Sequence, residues 1–333
     1  MLKFLLDQRH HLELLNNQPE TTFITYRRSL ISVMCASYNR EPLSIVASLL
    51  NNCIYLCSIE NTQVKKNIPP SDQNAKFCAW GYKFEQYVLS DLATQQPNIG
   101  KPVVENEEFS IYYSSQLGKH RLFYGAQIDG MLATKTTSGP PDPNNLNANL
   151  TYLRHNHFVE LKTNREIHSP RQEKNFKRYK LLRCWCQCYL AGLKGLLVGY
   201  RNDDGIIQRV QWFNTEDIVR YCRDEWKPQI AINYLAYFLT YVENYFKSLK
   251  ATSGDNFSSK QPITVKFNID ANQKIIAEKD EEHVILPAWY VNYTHLNRRR
   301  DIKTDEKCYK WVQFYLAIIF FVMYKKISLQ IYL

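Results

Sequence analysis

Residues 158–163 read FVELKT, in which a glutamate, Glu160, and a lysine, Lys162, are separated by one leucine. The stretch alternates apolar and polar residues, which is typical of a half-buried β-strand. Successive side chains of a strand point to opposite faces, so we expect Glu160 and Lys162 on the same face. The stretch therefore predicts a strand that carries a carboxylate and an ammonium group side by side.

A second strand-like stretch, GAQIDG at residues 125–130, precedes FVELKT along the chain. Gln127 and Asp129 share one face by the same alternation. An Asp on one strand, followed by Glu-x-Lys on its neighbour, is the arrangement of PD-(D/E)xK nucleases. Two carboxylates and the carbonyl inside Glu-x-Lys can hold Mg²⁺, and the lysine can neutralise charge that develops on a phosphate. An exposed charge pair with no catalytic role is the alternative interpretation.

The composition predicts a folded chain with an anionic partner. Of the 333 residues, 45% are hydrophobic and 22% are charged, which is typical of a globular protein with a sizeable core. The net charge of +10 favours RNA or DNA as a partner. Nine cysteines without a CxxC pair indicate reduced thiols in a nuclear or cytoplasmic protein. No signal peptide is visible, and the apolar stretch 314–324 is too short to span a bilayer, so we expect no membrane partner.

Helical and strand-like patterns alternate along the chain, which predicts an α+β (mixed α/β) fold. We expect a single domain with a central mixed β-sheet flanked by helices and a PD-(D/E)xK nuclease-like core. Its predicted parts are an N-terminal extension (1–24), a catalytic domain (25–295) and a basic and apolar C-terminal tail (296–333). Strands are predicted at 30–38, 52–60, 109–118, 151–163 and 283–291, a hairpin at 195–213 with its turn at Asn202–Gly205, and helices at 79–94, 228–250 and, with Ser169 as N-cap, 169–193.

Several ordered motifs resemble the DXO family of RNA 5′-end decapping exonucleases. They are TYRRSLISVMCASY (25–38), WGYKFEQY (80–87), GAQIDG (125–130), FVELKT (158–163) and KLLRCWCQCYLAGLKGLLVGYRNDDG (180–205). The resemblance runs from about residue 25 to residue 292.

The resemblance implies roles for individual residues. The metal ligands would be Glu85, Asp129, Glu160 and the backbone of Leu161, with Gln127 standing where the family has a second acidic ligand. Lys162 and Gln187 would contact the scissile phosphate or the attacking water and so complete the catalytic set. Arg27, with Tyr26 and Arg28 beside it, would hold the RNA 5′ phosphates.

The resemblance also implies an activity. The family removes incomplete or NAD caps, releases pyrophosphate from 5′-triphosphate RNA and degrades RNA from 5′ to 3′. Two Mg²⁺ or Mn²⁺ ions would assist the hydrolysis. Expected partners are RNA 5′ ends and a 5′→3′ exoribonuclease or other RNA-processing protein. The nucleus is the expected compartment, with the cytoplasm as a second one.

The sequence departs from the family pattern at two positions near the expected site. Gln127 lacks the formal charge of an acidic ligand, so we expect weaker binding of the second ion. Arg28 stands where the family has a glycine and adds bulk and charge. A catalytically weakened or inactive homologue, which binds RNA 5′ ends or forms complexes, is therefore the second hypothesis.

Overall fold

A computed structural model describes residues 1–8, 21–59, 72–105, 108–133, 137–142, 144–253, 261–298, 320–323 and 328–329. By their packing, the residues divide into two compact units. The first unit comprises residues 1–60, 113–125 and 232–318, and the second comprises residues 61–112, 126–231 and 319–333.

The described part of the chain alternates helices and strands. In chain order these are α1 (Leu2–Asp7), β1 (Thr22–Tyr26), α2 (Arg27–Ala36), β2 (Leu43–Leu50), β3 (Cys53–Ile59), α3 (Asp72–Val88), β4 (Leu89–Ser90), β5 (Phe109–Leu117), β6 (His120–Gln127), β7 (Gly130–Leu132), α4 (Leu146–His155), β8 (His157–Arg165), α5 (Pro170–Asn175), a π-helical segment (Phe176–Leu181), α6 (Leu182–Ala191), β9 (Gly195–Arg201), β10 (Ile207–Asn214), α7 (Thr215–Tyr221), α8 (Pro228–Ser253), β11 (Ile263–Ile269), β12 (Ile275–Lys279), α9 (Ala288–Arg298), β13 (Phe320–Met323) and β14 (Ser328–Leu329).

The described strands form two mixed sheets. The larger has the order β12-β11-β2-β3-β1-β6-β5-β13, and the smaller has the order β10-β9-β8-β7-β14-β4. The predicted mixed α/β fold, with helices flanking sheet, is confirmed. Its strands lie in two sheets, whereas the sequence analysis expected one central sheet.

The first unit is built on parallel and antiparallel pairs of the larger sheet. Strand β1 runs parallel to both β3 and β6, and its Phe23 and Ile24 are fully buried. Helix α8 contributes Phe238 and Phe246, whose rings meet Phe267 of β11 at centroid distances of 6.2 Å. Aromatic side chains bury large apolar areas, so this contact fixes α8 against the sheet.

The second unit places β8 between two different neighbours. Strand β7 is antiparallel to β8, whereas β9 is parallel to it and is reached through α5, the π segment and α6. Phe84 of α3 packs on the sheet with Val159, Leu161 and Leu197. Gly199 of β9 allows this contact, because a Cβ atom there would lie 2.6 Å from Phe84 Cε2.

The long helix predicted from Ser169 is confirmed, with one irregularity. Ser169 Oγ accepts a hydrogen bond from the Gln172 backbone N–H at 3.3 Å, and Pro170 occupies the first turn. The helix ends at Ala191 and is capped by Gly192, whose φ of 60° suits a residue without Cβ. Between α5 and α6 the backbone is π-helical, which periodicity does not predict.

Three strand predictions are wrong in whole or in part. Residues 30–38 fall largely in helix α2, in which most residues are buried, so apolar side chains occur on most of its surface. In 283–291, helix α9 begins at Ala288 directly after Pro287. In 151–163, α4 continues to His155 and only then does β8 begin. Short apolar runs do not distinguish a buried helix from a strand.

The other predictions agree with the described elements more closely. The hairpin at 195–213 corresponds to β9 and β10, and the turn at Asn202–Gly205 has Gly205 at φ 86°. The predicted helix 79–94 begins earlier, at Asp72, and ends at Val88. Of the apolar stretch 314–324, only residues 320–323 are described, and they pair with β5. Across the described residues, no helix is long and apolar enough to cross a membrane. The domain boundaries stay a prediction.

Candidate active site

Asp129 lies between the end of β6 and the start of β7, beside the middle of β8. Its Oδ2 accepts a hydrogen bond from the Leu161 backbone N–H at 2.8 Å and lies 3.2 Å from Lys162 Nζ. The side chain is 9% exposed. The carboxylate therefore joins two neighbouring segments of the second unit and is oriented by a backbone donor.

Glu160 lies in the middle of β8 and is 1% exposed. Its Oε1 is 2.6 Å from Lys162 Nζ and accepts a hydrogen bond of 2.6 Å from Gln187 Nε2. A buried carboxylate requires such partners, because desolvation without them is costly. Strand β8 and helix α6 thus meet at a charged and hydrogen-bonded contact.

The ammonium group of Lys162 is surrounded by three oxygen atoms. Asp129 Oδ2, Glu160 Oε1 and the Leu161 carbonyl oxygen lie 3.2, 2.6 and 2.9 Å from Nζ. Burial disfavours the charged lysine, but the two carboxylates outweigh burial and raise its pKa well above the usual range. The structure therefore brings together, around one positive charge, three of the oxygen donors that the sequence analysis named as metal ligands.

These oxygens have the chemistry that a hard divalent cation requires. Carboxylate and carbonyl oxygens are the ligands of Mg²⁺, Mn²⁺ and Ca²⁺. The Lys162 ammonium group stands in for the charge of such a cation among them. Among the described residues, no three His, Cys, Asp or Glu side chains form a metal cluster by themselves. The Leu161 carbonyl oxygen, 2.9 Å from Lys162 Nζ, is a further oxygen beside the two carboxylates.

Glu85 extends the cluster from helix α3. Burial and the carboxylate of Asp129 raise its pKa to about 7, with a further contribution from Glu160 and an opposing one from Lys162. A carboxyl group with a raised pKa is protonated more easily than a free one. The predicted ligand Glu85 therefore shares its electrostatic environment with the other site residues.

Gln127 is exposed, whereas Ile128 beside it is buried and only 9% of the Asp129 side chain is exposed. The Ile128 backbone N–H donates to the Phe109 carbonyl oxygen at 2.9 Å, just beyond the end of β6. Gln127 and Asp129 therefore differ in exposure, whereas strand alternation through residue 129 predicts that both lie on one face. Strand β6 itself ends at Gln127, so Asp129 lies in the short connection to β7.

The predicted phosphate-binding residues lie in the first unit. Arg27 begins helix α2 and is 6% exposed, whereas Tyr26 and Arg28 on either side are exposed. Burial raises the pKa of Tyr113, and the nearby charge of Arg27 opposes this shift. The contact of these residues with RNA 5′ phosphates stays a prediction.

Near the cluster, Lys180 was not singled out by sequence reasoning, and Cys184 was expected only as one of the reduced thiols. Lys180 Nζ donates to the Thr163 carbonyl oxygen, directly after Lys162, and burial lowers its pKa. Cys184 is buried beside Lys162, and burial raises its pKa to about 11. Lys180 lies seven residues before Gln187, a spacing of about two helical turns that could have indicated it.

The fold and the cluster define the class of protein. An Asp beside β7, the Glu-x-Lys of β8 and a glutamine from the following helix form a single cluster in a mixed sheet, which is the arrangement of PD-(D/E)XK nucleases. The family described as RAI1-like PD-(D/E)XK nuclease matches residues 1–291. The chain belongs to this family, and the sequence resemblance is confirmed.

Named relatives agree with this assignment. The Drosophila melanogaster decapping and exoribonuclease protein Rai1 is 32% identical over 83% of this chain and 69% of its own length. The human decapping and exoribonuclease protein is 29% identical over 87% of this chain and 69% of its own length. The chain thus spans about two thirds of the length of these relatives.

Solved structures show the same fold. The crystal structure of Candida albicans Rai1 in complex with pU5 and Mn²⁺ has a TM-score of 0.66 at 18% identity, covering 89% of this chain and 78% of that one. The crystal structure of K. lactis Dxo1 in complex with manganese has a TM-score of 0.56 at 18% identity, covering 86% and 71%.

Proposed function

We propose that this chain is a divalent-metal-dependent hydrolase of RNA 5′ ends. It removes incomplete or NAD caps, hydrolyses 5′-triphosphate RNA and degrades RNA from 5′ to 3′. The observation that carries the proposal is the convergence of Asp129 Oδ2, Glu160 Oε1 and the Leu161 carbonyl on one cationic position. The names of the fly and human relatives, and the pU5 and Mn²⁺ in the Candida albicans structure, support it.

The chain's own residues suggest how the reaction proceeds. A divalent cation supplies Lewis-acid polarisation of the phosphate and a more acidic bound water. Asp129 and Glu160 hold the negative charge that binds this cation, and the hydrogen bond from the Leu161 N–H keeps Asp129 oriented. Lys162 offers its ammonium group to the phosphate oxygens as charge develops on them. The amide of Gln187, fixed on Glu160 at 2.6 Å, is positioned to orient the attacking water.

Mg²⁺ is the proposed physiological ion, with Mn²⁺ as a substitute. A second ion would bind beside Glu85 and Gln127, where the amide supplies oxygen without formal charge. We propose that this second ion binds more weakly than the first. Gln127 is exposed, so an acid at this position would meet no steric barrier from a packed core.

Gln127 also favours a second candidate function. In a homologue that has lost one acidic ligand, the pocket could bind RNA 5′ ends or support a complex without hydrolysis. The intact contacts of Asp129, Glu160, Lys162 and Gln187 favour the enzyme, because a binding protein has no need for buried carboxylates around a lysine. The nucleus, and association with a 5′→3′ exoribonuclease, are proposed as the cellular setting.

The test is hydrolysis of 5′-triphosphate and NAD-capped RNA with Mg²⁺ or Mn²⁺. Wild type is compared with Asp129→Asn, Gln127→Glu and the control Asp204→Asn, whose carboxylate lies in the exposed turn between β9 and β10. We expect Asp129→Asn to lose at least about 100-fold in rate, and Asp204→Asn to match wild type. Gln127→Glu is expected to lower the Mg²⁺ concentration needed for half-maximal activity.

Each outcome selects one function. An active wild type that loses hydrolysis through Asp129→Asn but not through Asp204→Asn supports the enzyme. An inactive wild type that gains activity through Gln127→Glu favours the RNA-binding homologue. Circular dichroism and thermal unfolding of each variant separate a lost activity from a lost fold.

A further inference from the structure

We propose that an exposed row of side chains on the helix bearing Gln187 binds the single-stranded RNA that follows the reacting 5′ end. The row consists of Arg171, Asn175, Tyr179 and Arg183, and it leads to Gln187. This inference rests on the proposed function, because it assigns the RNA strand a path out of that site.

The row connects the candidate active site with solvent. Arg171, Asn175, Tyr179 and Arg183 are all exposed, with Tyr179 at 48%. Gln187 is half-buried and bonded to Glu160. One end of the row is therefore anchored in the carboxylate cluster while the other lies on the surface of the second unit.

The π segment keeps the row on one side of the helix. Each step of the row is four residues, which overshoots one α-helical turn by about 40°. A π-helix has wider turns, so a four-residue step undershoots a turn there. Because the segment Phe176–Leu181 lies in the middle of the row, it counteracts the drift from the α-helical ends. Sixteen residues rise about 24 Å, which is long enough for several nucleotides.

The charge of this helix suits an anionic strand. Between residues 170 and 187 there is one acidic residue and there are six basic ones, namely Arg171, Lys174, Lys177, Arg178, Lys180 and Arg183. The single acid, Glu173, is engaged by Lys177 at 2.9 Å and by the Tyr221 hydroxyl at 2.9 Å. Its charge is thus largely neutralised by partners other than the row.

The residue types favour RNA over a protein partner. Arginine and asparagine bind phosphate and sugar oxygens, and an exposed tyrosine ring stacks on bases of any sequence. The Arg178 guanidinium lies 5.8 Å from the Tyr179 ring centroid and adds cationic character to that platform. The row offers no aliphatic side chain for the apolar core that a stable protein interface needs.

The experiment measures equilibrium binding in EDTA, so that no hydrolysis occurs. The probes are a 5′-phosphorylated unstructured RNA of about 20 nucleotides and a 5′-phosphorylated dinucleotide as competitor. The test variants are Arg171→Glu with Arg183→Glu, and Tyr179→Ala. The control is Lys194→Glu with Arg223→Glu, which reverses two exposed charges of the same unit outside the row.

We expect the double reversal in the row to weaken binding of the long RNA at least about tenfold. It should also make the slope of log K against log salt shallower by about 1.4, because two phosphate contacts of a single strand are lost. Tyr179→Ala should weaken binding at least about fivefold without changing that slope. Dinucleotide binding should change less than about twofold in every variant, because the dinucleotide does not reach the row.

Two results would overturn the proposal. One is that the control double reversal weakens binding of the long RNA as much as the row variant does, which would show that only the net charge matters. The other is a wild type that binds the long RNA no better than the dinucleotide. Hydrolysis of the dinucleotide tests the proposed function separately. If wild type does not hydrolyse it but the row variants still bind the long RNA more weakly than wild type, the proposed hydrolase activity is wrong and the RNA-binding row is supported.

Discussion

Lys162 balances the charge of two carboxylates that lie within 3.2 Å of its ammonium group. Without it, Asp129 and Glu160 would place two negative charges next to each other at low exposure. The spacing of Glu-x-Lys predicts that the glutamate and the lysine are neighbours. It does not predict that the ammonium also contacts the Leu161 carbonyl, because that contact depends on the rotamer of a long side chain.

We expect Lys162→Met to lower the free energy of unfolding in EDTA by about 2 kcal/mol. Breaking a fully buried ion pair costs more, but the lysine side chain is 30% exposed. Mn²⁺ should then stabilise the variant more than wild type, because the cation restores the missing positive charge. Urea unfolding with and without Mn²⁺ measures both effects, with the exposed Lys101→Met as control. Equal stability of Lys162→Met and wild type in EDTA would contradict the charge-balancing role.

At the scale of elements, helix α3 depends on a glycine in the neighbouring sheet. Phe84 packs where Gly199 leaves room, and Glu85 follows Phe84 directly. The sequence predicts this helix from its apolar spacing but places its start at residue 79, because residues 73–79, about two helical turns, are exposed and show no buried stripe. The contact with Gly199 is not predictable, because it depends on the pairing of β9 with β8.

Gly199→Ala should destabilise the protein by about 1–3 kcal/mol, because its Cβ would overlap the Phe84 ring. It should also reduce hydrolysis, because a shift of Phe84 moves Glu85. Chemical unfolding and the rate on 5′-triphosphate RNA are measured together. The matched control is Gly81→Ala, in the helix that carries Phe84 and Glu85. A Cβ at Gly81 meets nothing within 4 Å, and alanine favours a helix. If both variants behave alike, the packing of Phe84 on Gly199 does not position the site.

At the scale of the whole molecule, the sequence predicts the mixed fold but not its division. Periodicity locates β9 and α8 and finds β8 within a longer predicted strand, and the turn at Asn202–Gly205 joins β9 to β10 as expected. Which strands become neighbours is decided by contacts far apart in sequence, such as β11 with β2. The division of the strands into two sheets is therefore not predictable from sequence periodicity. The candidate site was predictable because its residues lie in short motifs.

The stability of the molecule should fall in mild acid because of His120. Its Nε2 lies 2.8 Å from Thr240 Oγ1 and its Nδ1 lies 3.4 Å from Glu243 Oε2, while Lys119 and Lys247 also pair with Glu243. Burial lowers the pKa of His120 below its usual 6.5, although Glu243 opposes the shift. The unfolded state then binds more protons, so the stabilisation is present above pH 6.5 and is lost as the pH falls below it.

We expect wild type to lose up to about 1.4 kcal/mol per pH unit below this point, relative to His120→Gln. Urea unfolding between about pH 5 and pH 8 measures the difference. The pKa of Glu243 is lowered, so its own contribution falls only at more acidic pH, below its usual 4.5. Parallel pH profiles for wild type and His120→Gln would show that His120 does not cause the loss.

The π segment has a consequence for how this chain can vary. Loops such as Asn202–Gly205 tolerate insertions and deletions, because their ends move little. Removing one residue from Phe176–Leu181 would instead restore a regular helix and rotate everything before it by about 100° relative to Gln187. The side chains from Arg171 to Tyr179 would then face a different direction. The extra residue of the π segment therefore sets the direction of the side chains before it relative to Gln187. A relative that lacks this residue would present a different set of side chains beside the active site.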